Sequence, residues 1–206
     1  RWSPVTLDEF RPVADELLKP FVSLSVRLGL TPDKVSLLAF ALAAGAAGSY
    51  YVAQANAIWY LVGAFLVLAN GWLDLLDGAL ARRLEVASDG GDLLDHVLDR
   101  YADICIISGL AAGVGQYALG LAAVTGVLMT SYLGTQSQAV GLDRVYGGLL
   151  GRADRLALVG LVTAVAPAIG GELAGLTIVG WLLVVFAVVG HLTALQRFYG
   201  ALQALS

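Results

Sequence analysis

The sequence predicts an all-α integral membrane protein, with six transmembrane helices preceded by an amphipathic helix lying in the interface. Three observations carry this expectation. Only 14% of the 206 residues are charged and 58% are hydrophobic, whereas about a quarter of the residues in an ordinary soluble domain are charged. Six apolar segments, 33–54, 56–82, 90–114, 116–139, 153–169 and 173–198, reach or approach the roughly 20 residues that cross a bilayer. Lys and Arg avoid every second connection between those segments.

The chain divides into an N-terminal segment, 1–29, and a six-helix domain, 30–206. In the first, Phe10, Val13, Leu17, Phe21, Leu24 and Leu28 recur at helical spacing, with Asp8, Glu9, Arg11, Asp15, Glu16 and Lys19 between them. An apolar stripe on an otherwise charged helix lies in the membrane plane. Pro12 suits a first helical turn, whereas Pro20 should kink the helix or divide it in two.

The positive charges set the expected topology. All 12 fall at or before Lys34, within 82–100, within 139–155, or at Arg197; the connections near 54–57, 114–117 and 168–173 have none. Loops rich in Lys and Arg stay in the cytoplasm. Both termini are therefore expected there, in the cell membrane, as an even number of spans requires. Small residues within the spans (Gly45 to Gly48, Gly63, Gly71, Gly109 and Gly113) predict close helix packing.

Other classes find little support. The formal charge is -4, and no basic stripe lies outside the membrane-flanking segments, which argues against nucleic acid as a partner. Cys105, the only cysteine, sits in an apolar run and reads as a small buried hydrophobe. No basic start followed by a short apolar core marks a secretory leader.

The unusual segment runs from Asp74 to Asp103. Asp74 and Asp77 share a face near the end of the second span, and Asp95 and Asp99 share one at the start of the third. The short turn through Ser88, Asp89, Gly90 and Gly91 lets antiparallel packing bring both pairs together. Charge near a bilayer interior is costly and marks function, and like charges this close need a counter-charge. With no Cys/His ligand set, the oxygen donors suit Mg²⁺, Mn²⁺ or Ca²⁺ rather than zinc. Four carboxylates can hold two ions about 3.5–4 Å apart, as in phosphoryl-transfer sites.

These residues resemble the signature of the CDP-alcohol phosphotransferases, D-x2-D-G-x2-A-R-x8-G-x3-D-x3-D. Asp74, Asp77, Gly78, Ala81, Arg82, Gly91, Asp95 and Asp99 stand at its eight positions over 26 residues. The entry to the first span, Leu30-Thr31-Pro32-Asp33 with Ser36 a turn later, is also similar to that family, with Asp33 where many members carry Asn. The resemblance implies a membrane enzyme of phospholipid biosynthesis. Such an enzyme moves a phosphatidyl-type group from a CDP-linked lipid to a small polar alcohol and releases CMP, using two Mg²⁺ or Mn²⁺ ions, often as a homodimer, with the active site on the cytoplasmic side.

Each position then has an expected task. Asp74, Asp77, Asp95 and Asp99 are the metal ligands. By resemblance, Asp99 is also the base that takes the acceptor's proton. Gly78 and Ala81 let the nucleotide approach the helix backbone, Arg82 pairs with a phosphate, and Gly91 permits a tight entry to the third span. Asp92 is expected to face solvent, Asp103 to partner an arginine, and His96 and His191 to be structural. Arg152 and Arg155, opening the fifth span, could clamp an acceptor phosphate. Their segment is similar to the Arg-Ala-Glu-Arg element of inositol-phosphate-using members, with Asp154 for Glu.

The expected acceptor is a phosphorylated polyol, inositol phosphate first and glycerol phosphate second. Arg152 and Arg155, with Arg144 nearby, would otherwise lack an anion. Alternatives are an unphosphorylated acceptor such as serine or inositol, a cation-coupled transporter, or a membrane scaffold. Against the transporter stand the clustering of the acids at one face and the absence of an inverted repeat.

Overall fold

The computed structural model describes residues 11–86, 88–142 and 150–205, with side chains from Glu16 onward in the first helix. Residues 1–10 and Arg144 lie outside what it describes, as do the side chains of residues 11–15, Pro12, Val13 and Asp15 among them. The helices are α1 (Arg11–Arg27), α2 (Pro32–Val52), α3 (Ile58–Leu84), α4 (Asp89–Gly113), α5 (Tyr117–Ala139), α6 (Arg152–Val165), extended by a 3-10 turn at Ala166–Ala168, and α7 (Ile178–Leu205). No β-strand occurs among the described residues; Leu173 and Leu176 form one isolated bridge.

α2, α3, α5 and α7 are long and apolar enough to cross a membrane by length and composition. α4 has a span's length but carries five aspartates and Arg100. α6 has 14 residues, about 21 Å at 1.5 Å per residue.

α1 presents two apolar stripes. Leu18 and Val22 are buried against Val35, Leu76 and Leu80, and Phe21 meets Trp72 edge-on at 5.5 Å. Leu17, Phe21, Leu24 and Leu28 remain largely exposed. The described part of the stripe singled out in the sequence is therefore the exposed one, while the neighbouring one fastens α1 to α3. Of the two outcomes expected at Pro20, a kink or a division, the division does not occur: α1 runs through it. Pro20 and Glu16, whose carbonyl loses its donor, both lie on the exposed side.

α2 starts where the chemistry of Thr31-Pro32 dictates. Thr31 is extended and its Oγ1 accepts from Lys34 N at 3.4 Å, while Pro32 occupies the first turn, where no N–H is needed. The helix then packs against both α3 and α4. At Gly109 and Gly113 a Cβ would strike the backbone of Ala47 and Tyr50, so α4 approaches α2 through these glycines. Gly126 and Gly190 do the same for α5 and α7, where Thr130 Oγ1 donates to Gly190 O at 2.8 Å. Tyr50 and Thr163 share a buried hydroxyl contact of 3.0 Å that ties α2 to α6.

The last helix begins at Ile178, not 173, and runs to Leu205 rather than 198. Gly171, Ala174 and Gly175 have positive φ, and Leu173 and Leu176 exchange backbone hydrogen bonds of 2.9 and 3.1 Å. A tight turn therefore occupies the stretch that hydropathy counted as helix.

Candidate active site

α3 ends in a left-handed C-cap at Glu85, and α4 begins at Ser88, whose Oγ accepts from Gly91 N at 3.1 Å. Asp89 and Asp92 in the first turn of α4 complement the positive end of the helix dipole. Both helices pack on α2, so carboxylates from the end of α3 and the start of α4 face one another. One carboxylate oxygen from each of Asp74, Asp95 and Asp99 lies within 4.8 Å of the others.

Asp77 is not in that group. Its Oδ2 accepts from Ser36 Oγ on α2 at 2.7 Å, and it is 6% exposed. The four expected carboxylates thus stand as three and one. Residues three apart on a helix are offset by about 60° (3 × 100° of turn), enough to send Asp74 toward α4 and Asp77 toward α2.

Arg152 reaches into the three-acid group. Its guanidinium lies 2.6 Å from Asp74 Oδ2, 2.8 Å from Asp99 Oδ1 and 4.0 Å from Asp103 Oδ1. Arg155 is buried and donates to Asp103 Oδ2 at 2.8 Å. The premise that these arginines lack an anion unless an acceptor supplies one is therefore not met, because α3 and α4 provide carboxylates to both. Asp103 has the arginine partner expected of it. Asp154 caps its own helix, accepting from Gly151 N at 2.9 Å.

Three carboxylates face the Arg152 guanidinium in the Asp74, Asp95, Asp99 and Arg152 group, so the acids outnumber the cation among them. Clustered carboxylate oxygens of this kind fit a divalent hard cation. The same four residues, with Ser36 and Asn70, line a small internal pocket.

Beside it opens a cleft of about 380 Å³ lined by Thr31, Asp33, Asp77, Gly78, Ala81, Gly91 and Asp95, among others. Gly78 and Ala81 on α3 and Gly91 on α4 thus line the same cleft. Arg82 is exposed and outside this lining, with its Nη1 near Gly78. Asp92 is exposed as expected, and His96 Nδ1 stands 3.6 Å from it and 3.9 Å from Asp95. His191 is remote from the acids, on α7 beside Thr125 at 3.4 Å.

Three polar residues escaped the sequence reading. Arg100 faces Asp99 Oδ2 at 3.5 Å and donates to Ser131 Oγ on α5. Asn70, 1% exposed, donates to Ala39 O at 2.8 Å one turn before Asp74. Their signal was present: an amide inside an apolar span, a cation next to Asp99, and a hydroxyl two turns from a helix end.

Residues 29–192 match the profile of the CDP-alcohol phosphatidyltransferases. The archaetidylinositol phosphate synthase of Methanothermobacter thermautotrophicus is 33% identical over 204 residues, covering 97% of this chain and 95% of that one. The phosphatidylinositol phosphate synthase of Cutibacterium acnes is 30% identical over 218 residues, covering 96% and 98%. The crystal structure of the Mycobacterium tuberculosis phosphatidylinositol phosphate synthase with manganese and citrate is similar with a TM-score of 0.76 at 25% identity, covering 89% of this chain and 88% of that one. The same enzyme with CDP-DAG bound shares the fold, with a TM-score of 0.76 at 24% identity over 90% and 94%.

Proposed function

The chain belongs to the CDP-alcohol phosphatidyltransferase family, and from that premise we propose that it transfers the phosphatidyl-type group of a CDP-linked lipid to inositol phosphate, releasing CMP. The observation that carries this reading is the Asp74, Asp95 and Asp99 group with Arg152, set beside a cleft walled by Gly78, Ala81 and Gly91. The acceptor rests on the inositol phosphate synthases among the relatives. A transporter or scaffold does not fit this family.

Asp74, Asp95 and Asp99 are the residues that would hold a divalent ion, and Asp77 on the cleft side is the candidate for a second; Mg²⁺ or Mn²⁺ suits this donor set. Bound there, the metal supplies charge neutralisation for the diphosphate. Gly78, Ala81 and Gly91 leave room for the nucleotide against the helix backbone, and Arg82 at the cleft edge meets a phosphate.

In the reaction, the acceptor hydroxyl oxygen bonds to the lipid-side phosphorus. The bond from that phosphorus to the oxygen of CMP breaks, and the electron pair leaves with CMP. Asp99 takes the hydroxyl proton. Arg152 at 2.8 Å and Arg100 at 3.5 Å fix one oxygen each of its carboxylate, so its orientation is set before substrate arrives. Arg152 and Arg155 receive the acceptor phosphate.

The topology belongs to the same proposal: six spans, with both termini and the site cytoplasmic, in the cell membrane. The one-sided Lys and Arg distribution supports it, as does the convergence of the α3 end with the α4 and α6 starts around the acids. The experiment is an acceptor screen on purified protein with CDP-lipid and Mg²⁺, scored by CMP release. Inositol phosphate should be the preferred acceptor. Equal turnover with inositol or serine would remove the phosphate from the assignment.

A further inference from the structure

Asp103 has no task in the reaction just described. It lies one turn beyond Asp99 on α4 and is 4% exposed, a position where a carboxylate is costly unless it is paired. Three guanidiniums surround it. Arg155 Nη2 stands 2.8 Å and Arg100 Nη2 3.9 Å from Oδ2, and Arg152 Nε is 4.0 Å from Oδ1.

The two α6 arginines are held unequally. Arg152 also meets Asp74 and Asp99. Arg155 has Asp103 as its only ion-pair partner among the described residues, and its buried Nε has no hydrogen-bond partner there. Arg155 also borders a small cavity with Thr130, Gly190 and Thr193, between α5, α6 and α7.

We propose that Asp103 is the positioning residue for acceptor recognition: from α4 it fixes the guanidinium of Arg155, and more weakly that of Arg152, in the orientation that receives the acceptor phosphate. This rests on the reading that the α6 arginines bind that phosphate. An arginine side chain loses much rotamer freedom on binding an anion, and a carboxylate that fixes the guanidinium beforehand removes that cost. Because Asp103 and Asp99 are successive turns of one helix, the same element then sets the phosphate end and the proton-accepting end of the acceptor site.

The test is steady-state CMP release with inositol phosphate and CDP-lipid varied in turn, in Asp103→Asn, Arg155→Ala and the double variant. Asp103→Asn should raise the acceptor KM about ten- to a hundredfold and leave the CDP-lipid KM unchanged. Arg155→Ala should do the same, and the double variant should be no worse than Arg155→Ala, because the two act as one unit. Arg155→Ala raising the acceptor KM while Asp103→Asn leaves it normal overturns the proposal alone. A normal acceptor KM in Arg155→Ala overturns the phosphate reading, and the proposal with it.

Asp103→Asn leaves a buried guanidinium without its carboxylate, so Asp103→Glu is run beside it. That variant keeps the charge and moves it by one methylene. Should the Asn variant not fold in detergent, a raised acceptor KM with a normal CDP-lipid KM in Asp103→Glu decides for the proposal, and a normal acceptor KM decides against it.

Discussion

Ser36 Oγ on α2 donates to Asp77 Oδ2 on α3 at 2.7 Å, with both side chains buried. Asp77 so paired stands outside the group of Asp74, Asp95 and Asp99 and lines the cleft instead.

Ser36→Ala should therefore act through Asp77. A buried carboxylate that loses its donor costs about 1–3 kcal/mol. The variant should unfold in detergent at a lower temperature than the parent. It should also show a CDP-lipid KM raised by roughly tenfold, with the acceptor KM unchanged. A parent-like CDP-lipid KM would make the contact one of packing alone.

Asp99→Asn keeps the shape of the side chain and removes its basicity. CMP release should fall by at least about a hundredfold, the lower end of what a positioned base contributes, and should not recover at saturating Mg²⁺. Asp74→Asn and Asp95→Asn should instead raise the Mg²⁺ concentration needed for half-maximal rate. Near-normal turnover in Asp99→Asn would exclude it as the base.

The α2–α4 contact predicts a purely structural lesion. Gly109→Leu forces a side chain into the backbone of Ala47, an overpacking worth about 1–3 kcal/mol. A Cβ at Gly48 would meet nothing within 4 Å, so Gly48→Leu should be accepted. Thermal unfolding of the two variants in detergent compares them directly. Equal stability would mean that α4 does not approach α2 this closely.

Topology is open to labelling in a Cys105→Ser background. A cysteine at Gly170, in the connection before α7, should react with an impermeant thiol reagent applied to intact cells. One at Val86, exposed in the α3–α4 turn, should react only after permeabilisation. The reverse pattern would place the acids outside the cell.

The membrane character, the run of helices and the identity of the acids were legible in the sequence. Hydropathy and charge are summed over whole segments, and Asp74, Asp77, Asp95 and Asp99 announce themselves by being charged where charge is expensive. The 170–177 turn was hidden because Leu173, Leu176 and Ile178 are apolar whatever their backbone does, and hydropathy cannot see a left-handed Ala174. Which stripe of α1 faces protein was likewise ambiguous, since Leu17 and Leu18 are equally apolar.

The sequence by itself determined that Asp74 and Asp77 share a helical face, that Asp95, Asp99 and Asp103 recur one turn apart, and that arginines open α6. These relations lie within single helices, where 3.6 residues per turn fixes every neighbour. Only the tertiary structure decided that Ser36 pairs with Asp77, that Arg152 enters the group of Asp74 and Asp99, and that Asp103 holds Arg155. Those partners come from helices whose relative rotation and depth are set by packing, through Gly109 and Gly113 against α2 and Tyr50 against Thr163. No periodicity within one helix encodes how far another is turned toward it.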